Sequence, residues 1–289
     1  MSVLARVDLQ GFQGWMMNSN EEYHAGAGIS STPAKAAADT AAHYKAYLEQ
    51  EREPSPAMLS GTRIHAATLE PVNFERDYVT VGNCTAVKKS GDPCTNAGVM
   101  LSQGHALCGV HAKGRAADRG EVISQDDYDR CIGCRDAIMA HPEAKALLTG
   151  GVSEASGYLW HNDTLLKVRP DYRIKGEVIT DIKSAESAKP NDFVRQIVNF
   201  KYHLSAEFYR MCCSILDGCK YEFRWIVVEK TPPYGVMVYA PSPDMMDQGN
   251  ELVALALRTI RKVESTGEYP CYPQSIQTID LPRWAKEKR

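Results

Sequence analysis

Residues 165–183 read LLKVRPDYRIKGEVITDIK, and this stretch decides the fold. Leu165 to Ile174 is strand-like, Lys175-Gly176-Glu177 is a turn, and Val178 to Lys183 resumes as a strand. Side chains alternate across a strand, so Asp181 and Lys183 share a face. The hairpin can bring Asp171, of Arg169-Pro170-Asp171, beside them. Two carboxylates are hard oxygen ligands for Mg2+, and an ammonium next to them can orient or polarise a water. That is chemistry for cutting a phosphodiester bond. An isolated Asp-x-Lys on a strand is commonly a solvated edge or an ion pair. Here Val178-Ile179 marks a buried strand, and buried acids need partners. A structural pair of Asp171 with Lys183 would leave Asp181 unexplained.

Further elements lie on either side. Ser153 to His161 is a strand with Glu154 at its start, where it could reach the same metal; an exposed strand-start acid is the competing reading. Asn191 to Leu216 reads as one long helix from Phe193, Ile197, Phe200, Leu204 and Phe208. It carries Gln196, Tyr202 and His203. Gln196 and Tyr202 could position the scissile phosphate or a water, against the plainer roles of polar surface residue and core-edge aromatic. Upstream, Ser30-Ser31-Thr32-Pro33 starts a helix expected over 34–51, and Met58 to Leu69 is a helix holding His65. His65 could contact a phosphate or a second metal, or be a hydrogen-bonded core histidine. Asp127 to Leu148 and Met245 to Glu264 are further helices, Tyr221 to Glu229 and Gly235 to Tyr239 further strands, and the first thirty residues look irregular. The order predicts an α/β fold, a mixed sheet flanked by helices.

A chain of 289 residues can bury a full core, and its composition is that of a globular protein. No apolar run is long enough to span a membrane and no signal peptide is evident, so a cytoplasmic location is expected. The net charge of −3 excludes a uniformly basic surface; a nucleic-acid partner would need locally focused cations. Nine cysteines without secretory context point to metal ligation or core packing. Residues 82–119 differ in texture, being rich in Gly, Lys, Ser and Cys, and read as an insertion between an N-terminal helical part (1–81) and the core (120–289). Cys84, Cys94, Cys108 and His111 are a donor set for tetrahedral Zn2+, with His105 as an alternative fourth ligand. The stretch is too polar to build its own core, so a metal would supply folding energy. Lys88, Lys89, Lys113 and Arg115 make it basic, as a solvated loop or a DNA contact. Cys131 and Cys134 fit a helix interior better than a metal site or an iron–sulfur cluster, and Cys212, Cys213, Cys219 and Cys271 read as core or incidental.

The sequence resembles the nuclease domain of exodeoxyribonuclease VIII, the RecE-type phage and prophage exonucleases of the PD-(D/E)xK superfamily. The resemblance runs through Glu22-Tyr23-His24-Ala25-Gly26, Gly28-Ile29-Ser30, Ala42-His43-Tyr44-Lys45, Pro56-Ala57-Met58, Gly61-Thr62, His65 and Leu69-Glu70-Pro71. It resumes at His141-Pro142, Ala146-Leu147-Leu148, Ser153-Glu154, Arg169-Pro170-Asp171, Asp181-Ile182-Lys183, Tyr202-His203, Ala206-Glu207-Phe208-Tyr209 and Leu281-Pro282-Arg283-Trp284-Ala285. It implies a restriction-endonuclease-like core and Mg2+-dependent, processive 5′ to 3′ digestion of double-stranded DNA ends in recombination by single-strand annealing, with Mn2+ as a substitute. Asp171 and Asp181 would be metal ligands, joined by Glu154 and by the Ile182 carbonyl. Lys183 would orient or activate the water; His65, Gln196 and Tyr202 would support. The implied partners are DNA ends and a single-strand annealing protein, and the implied assembly is a homo-oligomeric ring. The cysteine module departs from this pattern. Two other functions remain open: an endonuclease or nickase on the same fold, and a catalytically inactive, zinc-containing DNA-binding adaptor.

Overall fold

The computed structural model describes residues 11–50, 53–118 and 120–281. The N-terminal stretch that looks irregular in sequence holds β1 (Gly14–Met16) and α1 (Asn20–Ala25). A capping box sets α1: Ser19 Oγ accepts the Glu22 N–H, and the Glu22 carboxylate accepts the Ser19 N–H. The helix expected over 34–51 is two helices, α2 (Ser31–Asp39) and α3 (Ala41–Glu49); its expected end at Glu51 lies outside the described residues. Thr40 divides them. Its backbone is extended (φ −160°, ψ 162°) and its hydroxyl caps α3 by accepting the His43 N–H. Next come α4 (Pro56–Leu69), α5 (Pro71–Asp77) and β2 (Tyr78–Thr80). Residues 81–118 hold the short hairpin β3 (Met100–Ser102) and β4 (His105–Leu107), and β5 (Glu121–Ile123) returns to pair in parallel with β2.

The single helix expected over 127–148 also divides, into α6 (Gln125–Ala140) and α7 (Pro142–Leu147). Pro142 bars His141 from helical geometry, and His141 instead caps α7 through Nδ1. The strands follow: β6 (Val152–Ser153), β7 (Ser156–His161), β8 (Thr164–Val168), β9 (Tyr172–Ile174) and β10 (Val178–Ala185). Two expected strands are each cut in half here. The run 153–161 breaks at Glu154, whose φ is +53°. The run 165–174 breaks at Arg169-Pro170-Asp171, because proline has no N–H to continue a ladder. The long helix expected over 191–216 is α8 (Pro190–Asn199) and α9 (Tyr202–Asp217), separated by Phe200 and by Lys201 in left-handed geometry (φ 49°). Then come β11 (Glu222–Glu229), β12 (Val236–Tyr239) and α10 (Pro243–Thr266).

The main sheet has the order β12-β11-β10-β9-β6; β10 and β11 run parallel and the other pairs antiparallel. A separate antiparallel sheet has the order β1-β7-β8. The strand halves therefore belong to two sheets, and both breaks fall where the sheets meet. Helices cover both faces of the main sheet. On one face α2, α9 and α10 pack over Ile179, Phe223, Trp225 and Val227. On the other, α4 and α6 pack over Ile182, Ile226 and Val228. This is the expected mixed sheet between helices. Among the described residues no helix is long and apolar enough to cross a membrane. Pro282 to Ala285, the end of the resemblance, lie outside the described residues.

Candidate active site

The chain breaks bring the acids together. Glu154 donates its backbone N–H to the Asp171 carbonyl at 3.2 Å, so the two interruptions sit side by side. The Asp171 carboxylate accepts the Ile182 N–H at 2.6 Å, which fixes it against β10. Asp181 and Lys183 point from β10 to the α2/α9 face and form an ion pair. Ile182 points to the α4 face, where His65 Nε2 lies 2.9 Å from its carbonyl oxygen and His65 Nδ1 lies 3.5 Å from Asp171 Oδ2. Lys183 Nζ stands 5.1 Å from the centroid of the Tyr202 ring. Asp171, Asp181, Lys183, Glu154, His65 and Tyr202 thus share one neighbourhood. Gln196 stands on α8, and among the described residues no hydrogen bond ties its side chain to the acids.

The electrostatics are those of a site short of positive charge. Burial, then the neighbouring Asp181 carboxylate, push Asp171 up to about 7. Burial, then Asp171, push Glu154 up to about 6, although Arg169 and His65 pull the other way. Burial and then Lys183 push His65 down, so its imidazole is neutral at pH 7. For Lys183, burial alone would lower the pKa, but Asp181 and Asp171 together outweigh it and hold the ammonium charged. A divalent cation fits this donor set. His65, Glu154 and Asp171 each present a ligand atom within 4.8 Å of the others, and the Ile182 carbonyl faces the same space. That trio includes His65 and leaves Asp181 on Lys183, whereas the sequence reading placed both aspartates, Glu154 and Ile182 on the metal.

These shifts have a signed consequence for stability. An acid whose folded pKa is raised contributes stability that is fully present below its unfolded value, near 3.8 for Asp171, and lost as pH rises through about 7. Metal-free protein should therefore lose stability between pH 4 and 8 relative to Asp171→Asn, and saturating Mg2+ should shrink that difference. Thermal melts of both proteins across this range check it; parallel curves would contradict it.

Arg169, of the Arg-Pro-Asp motif, is the central support of the site. It is buried; its Nε donates to Glu154 at 2.7 Å, and one terminal nitrogen donates to Asn18 O at 2.8 Å and Ser156 Oγ at 3.1 Å. Lys167, also buried, donates to the carbonyls of Tyr23 at 2.8 Å and Gly26 at 2.6 Å. Together they fasten α1 and its flanks over the site. The result is an open groove of about 930 Å3, lined by Asn20, Glu21 and His24 of α1, by Thr62, Asn73 and Arg76, and by His65, Glu154 and Asp171. Arg169→Met would leave the Glu154 carboxylate buried without its partner, at a cost of about 3–5 kcal/mol. A fall in the urea midpoint checks this; an unchanged midpoint would show that the pair holds nothing in place.

A second cluster lies in the module between β2 and β5. His111 Nδ1 is 3.4 Å from both Cys84 Sγ and Cys108 Sγ, Cys94 Sγ is 3.9 Å from Cys108 Sγ, and all four ligand atoms lie within 4.8 Å of one another. A tetrahedral zinc with bonds of about 2.3 Å to sulfur and about 2.0 Å to nitrogen separates its ligands by about 3.8 Å (S–S) and 3.5 Å (S–N). The four side chains fit that geometry. The backbone N–H of His111 is the largest influence on Cys108, and with the Val110 N–H it pulls the thiol down to about 6 against the effect of burial. His105, the alternative ligand, is exposed on β4 and outside the cluster. Apart from the three cysteines, the module's own buried apolar cluster has only Leu107, with Ala86, Met100 and Ala112 partly buried. Cys131 and Cys134 are buried within α6, and Cys212 and Cys213 within α9; Cys219 is half-buried and Cys271 exposed.

Fold and site define a chain of the PDDEXK-like class, a mixed sheet whose strand ends present clustered acids and a lysine. Residues 30–282 match the family described as PDDEXK-like domain of unknown function (DUF3799), and the chain belongs to it. A crystal structure of a candidate exonuclease from Eubacterium rectale has the same fold, with a TM-score of 0.58 over 94% of this chain and 99% of that one, at 14% identity. A second solved structure, SSO0001, aligns over 48% of this chain and 67% of its own at 17% identity, with a TM-score of 0.26, and adds nothing to the fold assignment. No curated protein matches the chain.

Proposed function

We propose that this protein is a divalent-metal-dependent nuclease that digests linear double-stranded DNA from its ends, with the 5′ strand removed. The observation that carries the reading is the convergence of Asp171, Asp181 and Lys183 at the junction of two sheets, beside Glu154 and His65. Asp171, Glu154 and the Ile182 carbonyl would hold Mg2+ or Mn2+, with Asp181 within reach of the same space. A bound cation supplies charge to the attacking and leaving oxygens and lowers the pKa of its water. Lys183 stays protonated because two carboxylates face it, so it acts as a donor that orients water or a phosphate oxygen and not as a base. His65 is neutral and can accept a proton or hold a ligand through Nδ1. Arg169 holds Glu154 in place. Tyr202 packs over Lys183 and limits its motion.

The resemblance to RecE-type exonucleases supports polarity from the 5′ end, a single-strand annealing protein as partner, a ring of copies around the duplex, a cytoplasmic site of action and a role in recombination. The division into residues 1–81, 82–119 and 120–289 belongs to the same reading, and the Cys84–Cys94–Cys108–His111 cluster is its structural zinc site. Linear duplex labelled at either the 5′ or the 3′ terminus tests the activity. Mg2+-dependent release of the 5′ label first is expected. Equal cutting of closed circular DNA would favour an endonuclease or nickase, and no cutting with Mg2+ or Mn2+ would favour the inactive adaptor.

A further inference from the structure

Lys35 approaches the site from the face opposite His65. It belongs to α2, which packs with α9 and α10, whereas His65 comes from α4 across the sheet. Its Nζ lies 5.3 Å from the centroid of the Tyr202 ring, the ring that also carries Lys183 Nζ at 5.1 Å. Two ammonium groups therefore share one aromatic ring. Lys183 has Asp181 as its counterion, and nearby Lys201 has Asp39 at 2.9 Å. Lys35 is half-buried and, among the described residues, makes no hydrogen bond or ion pair; it stands over the ring. Burial, then the charge of Lys183, push it down to about 7 against the opposing pull of the Asp181 carboxylate.

An enclosed ammonium with no ion pair of its own, set near a second ammonium, is unfavourable in the free protein. An anion placed between them removes both penalties. At the Tyr202 ring two ammonium groups, Lys35 and Lys183, face one carboxylate, Asp181, so the local charge there favours an anion. We propose that Lys35 and Lys183 bound a phosphate subsite, and that Lys35 takes a phosphate oxygen of the bound DNA strand. The subsite rests on the nuclease reading for its ligand, but its test does not require cleavage.

Binding of a short linear duplex, carrying a 5′-phosphate or a 5′-hydroxyl, is measured without divalent metal for wild type, Lys35→Met and Lys35→Arg. A charge-assisted hydrogen bond corresponds to about a tenfold to hundredfold weaker Kd for Lys35→Met, largely recovered in Lys35→Arg. Lys35→Met should also melt at a higher temperature than wild type without DNA, because the unpaired ammonium is gone. If that variant does not fold, Lys35→Gln replaces it in the same comparison. Weakening confined to the 5′-phosphate duplex assigns the subsite to a terminal phosphate, and equal weakening on both assigns it to an internal phosphodiester. Unchanged binding by Lys35→Met, or no duplex binding by the wild type, overturns the proposal. Metal-dependent cleavage with unchanged Lys35→Met binding removes the subsite and leaves the nuclease reading standing; weakened binding with no cleavage does the reverse.

Discussion

Asp181→Asn should leave a folded protein with DNA cleavage reduced by about a hundredfold to a thousandfold, the scale of losing one preorganised electrostatic group from a water-poor site. The substitution keeps the shape of a side chain that is only 6% exposed and removes one negative charge. Asp181 is second to burial among the causes that raise Asp171, so the change relieves repulsion within the site. Lys183 loses its ion pair but keeps Asp171 as a counter-charge. Stability should therefore hold, with Tm near or above that of the wild type, while activity is lost. Turnover on linear duplex and a thermal melt of the same preparation check both halves. Retained turnover would remove Asp181 from the chemistry; lost turnover with a collapsed Tm would make it a structural residue.

With zinc at the proposed Cys84–Cys94–Cys108–His111 site, Cys108→Ser should release the metal and unfold the module around it. Structural zinc supplies folding free energy of about 10 kcal/mol or more in small metal-bound modules, and this one has little else: beyond its cysteines, only Leu107 and Ala106 are buried apolar residues among the described ones of 82–118. The Cys108 thiol is the donor most prepared to ionise, through the N–H groups of His111 and Val110. A serine there keeps the hydrogen-bonding loop and loses the soft ligand. Metal analysis should fall from one zinc per chain to near none, and limited proteolysis should open within 82–118. The main sheet, with its own two cores, should still melt cooperatively. Zinc-free wild type, or a Cys108→Ser protein equally resistant to protease, would contradict the assignment.

The acid pair, the lysine and the four-ligand cluster were legible because each is written in local spacing: Asp-x-Lys on one strand, Cys-x-x-His on one loop. So was the mixed sheet between helices. The breaks were harder. Helical periodicity runs straight through Thr40, through His141 and through Phe200-Lys201, because a one- or two-residue interruption barely disturbs the apolar spacing. Pro142 was a readable signal for the second of these, and Pro170 for the split of β8 from β9. Glu154 gave no such sign: its positive φ is held by Arg169, fifteen residues away, and by the neighbouring Asp171 backbone. Gln196 and Tyr202 looked like one helix's pair and stand on two. Lys35 is a lysine in an alanine-rich helix, and only packing against Tyr202 sets it apart.

Asp171, Glu154 and His65, with Asp181 and Lys183 beside them, are the proposed divalent-cation site. Crystals grown with Mn2+ and measured near the manganese absorption edge test it most directly. An anomalous peak about 2.0–2.3 Å from a carboxylate oxygen of Asp171, with Glu154, the Ile182 carbonyl or Asp181 completing the shell, is the expected result. A map with manganese only at surface carboxylates, and these side chains still paired with Arg169, Lys183 and the Ile182 N–H alone, would contradict it.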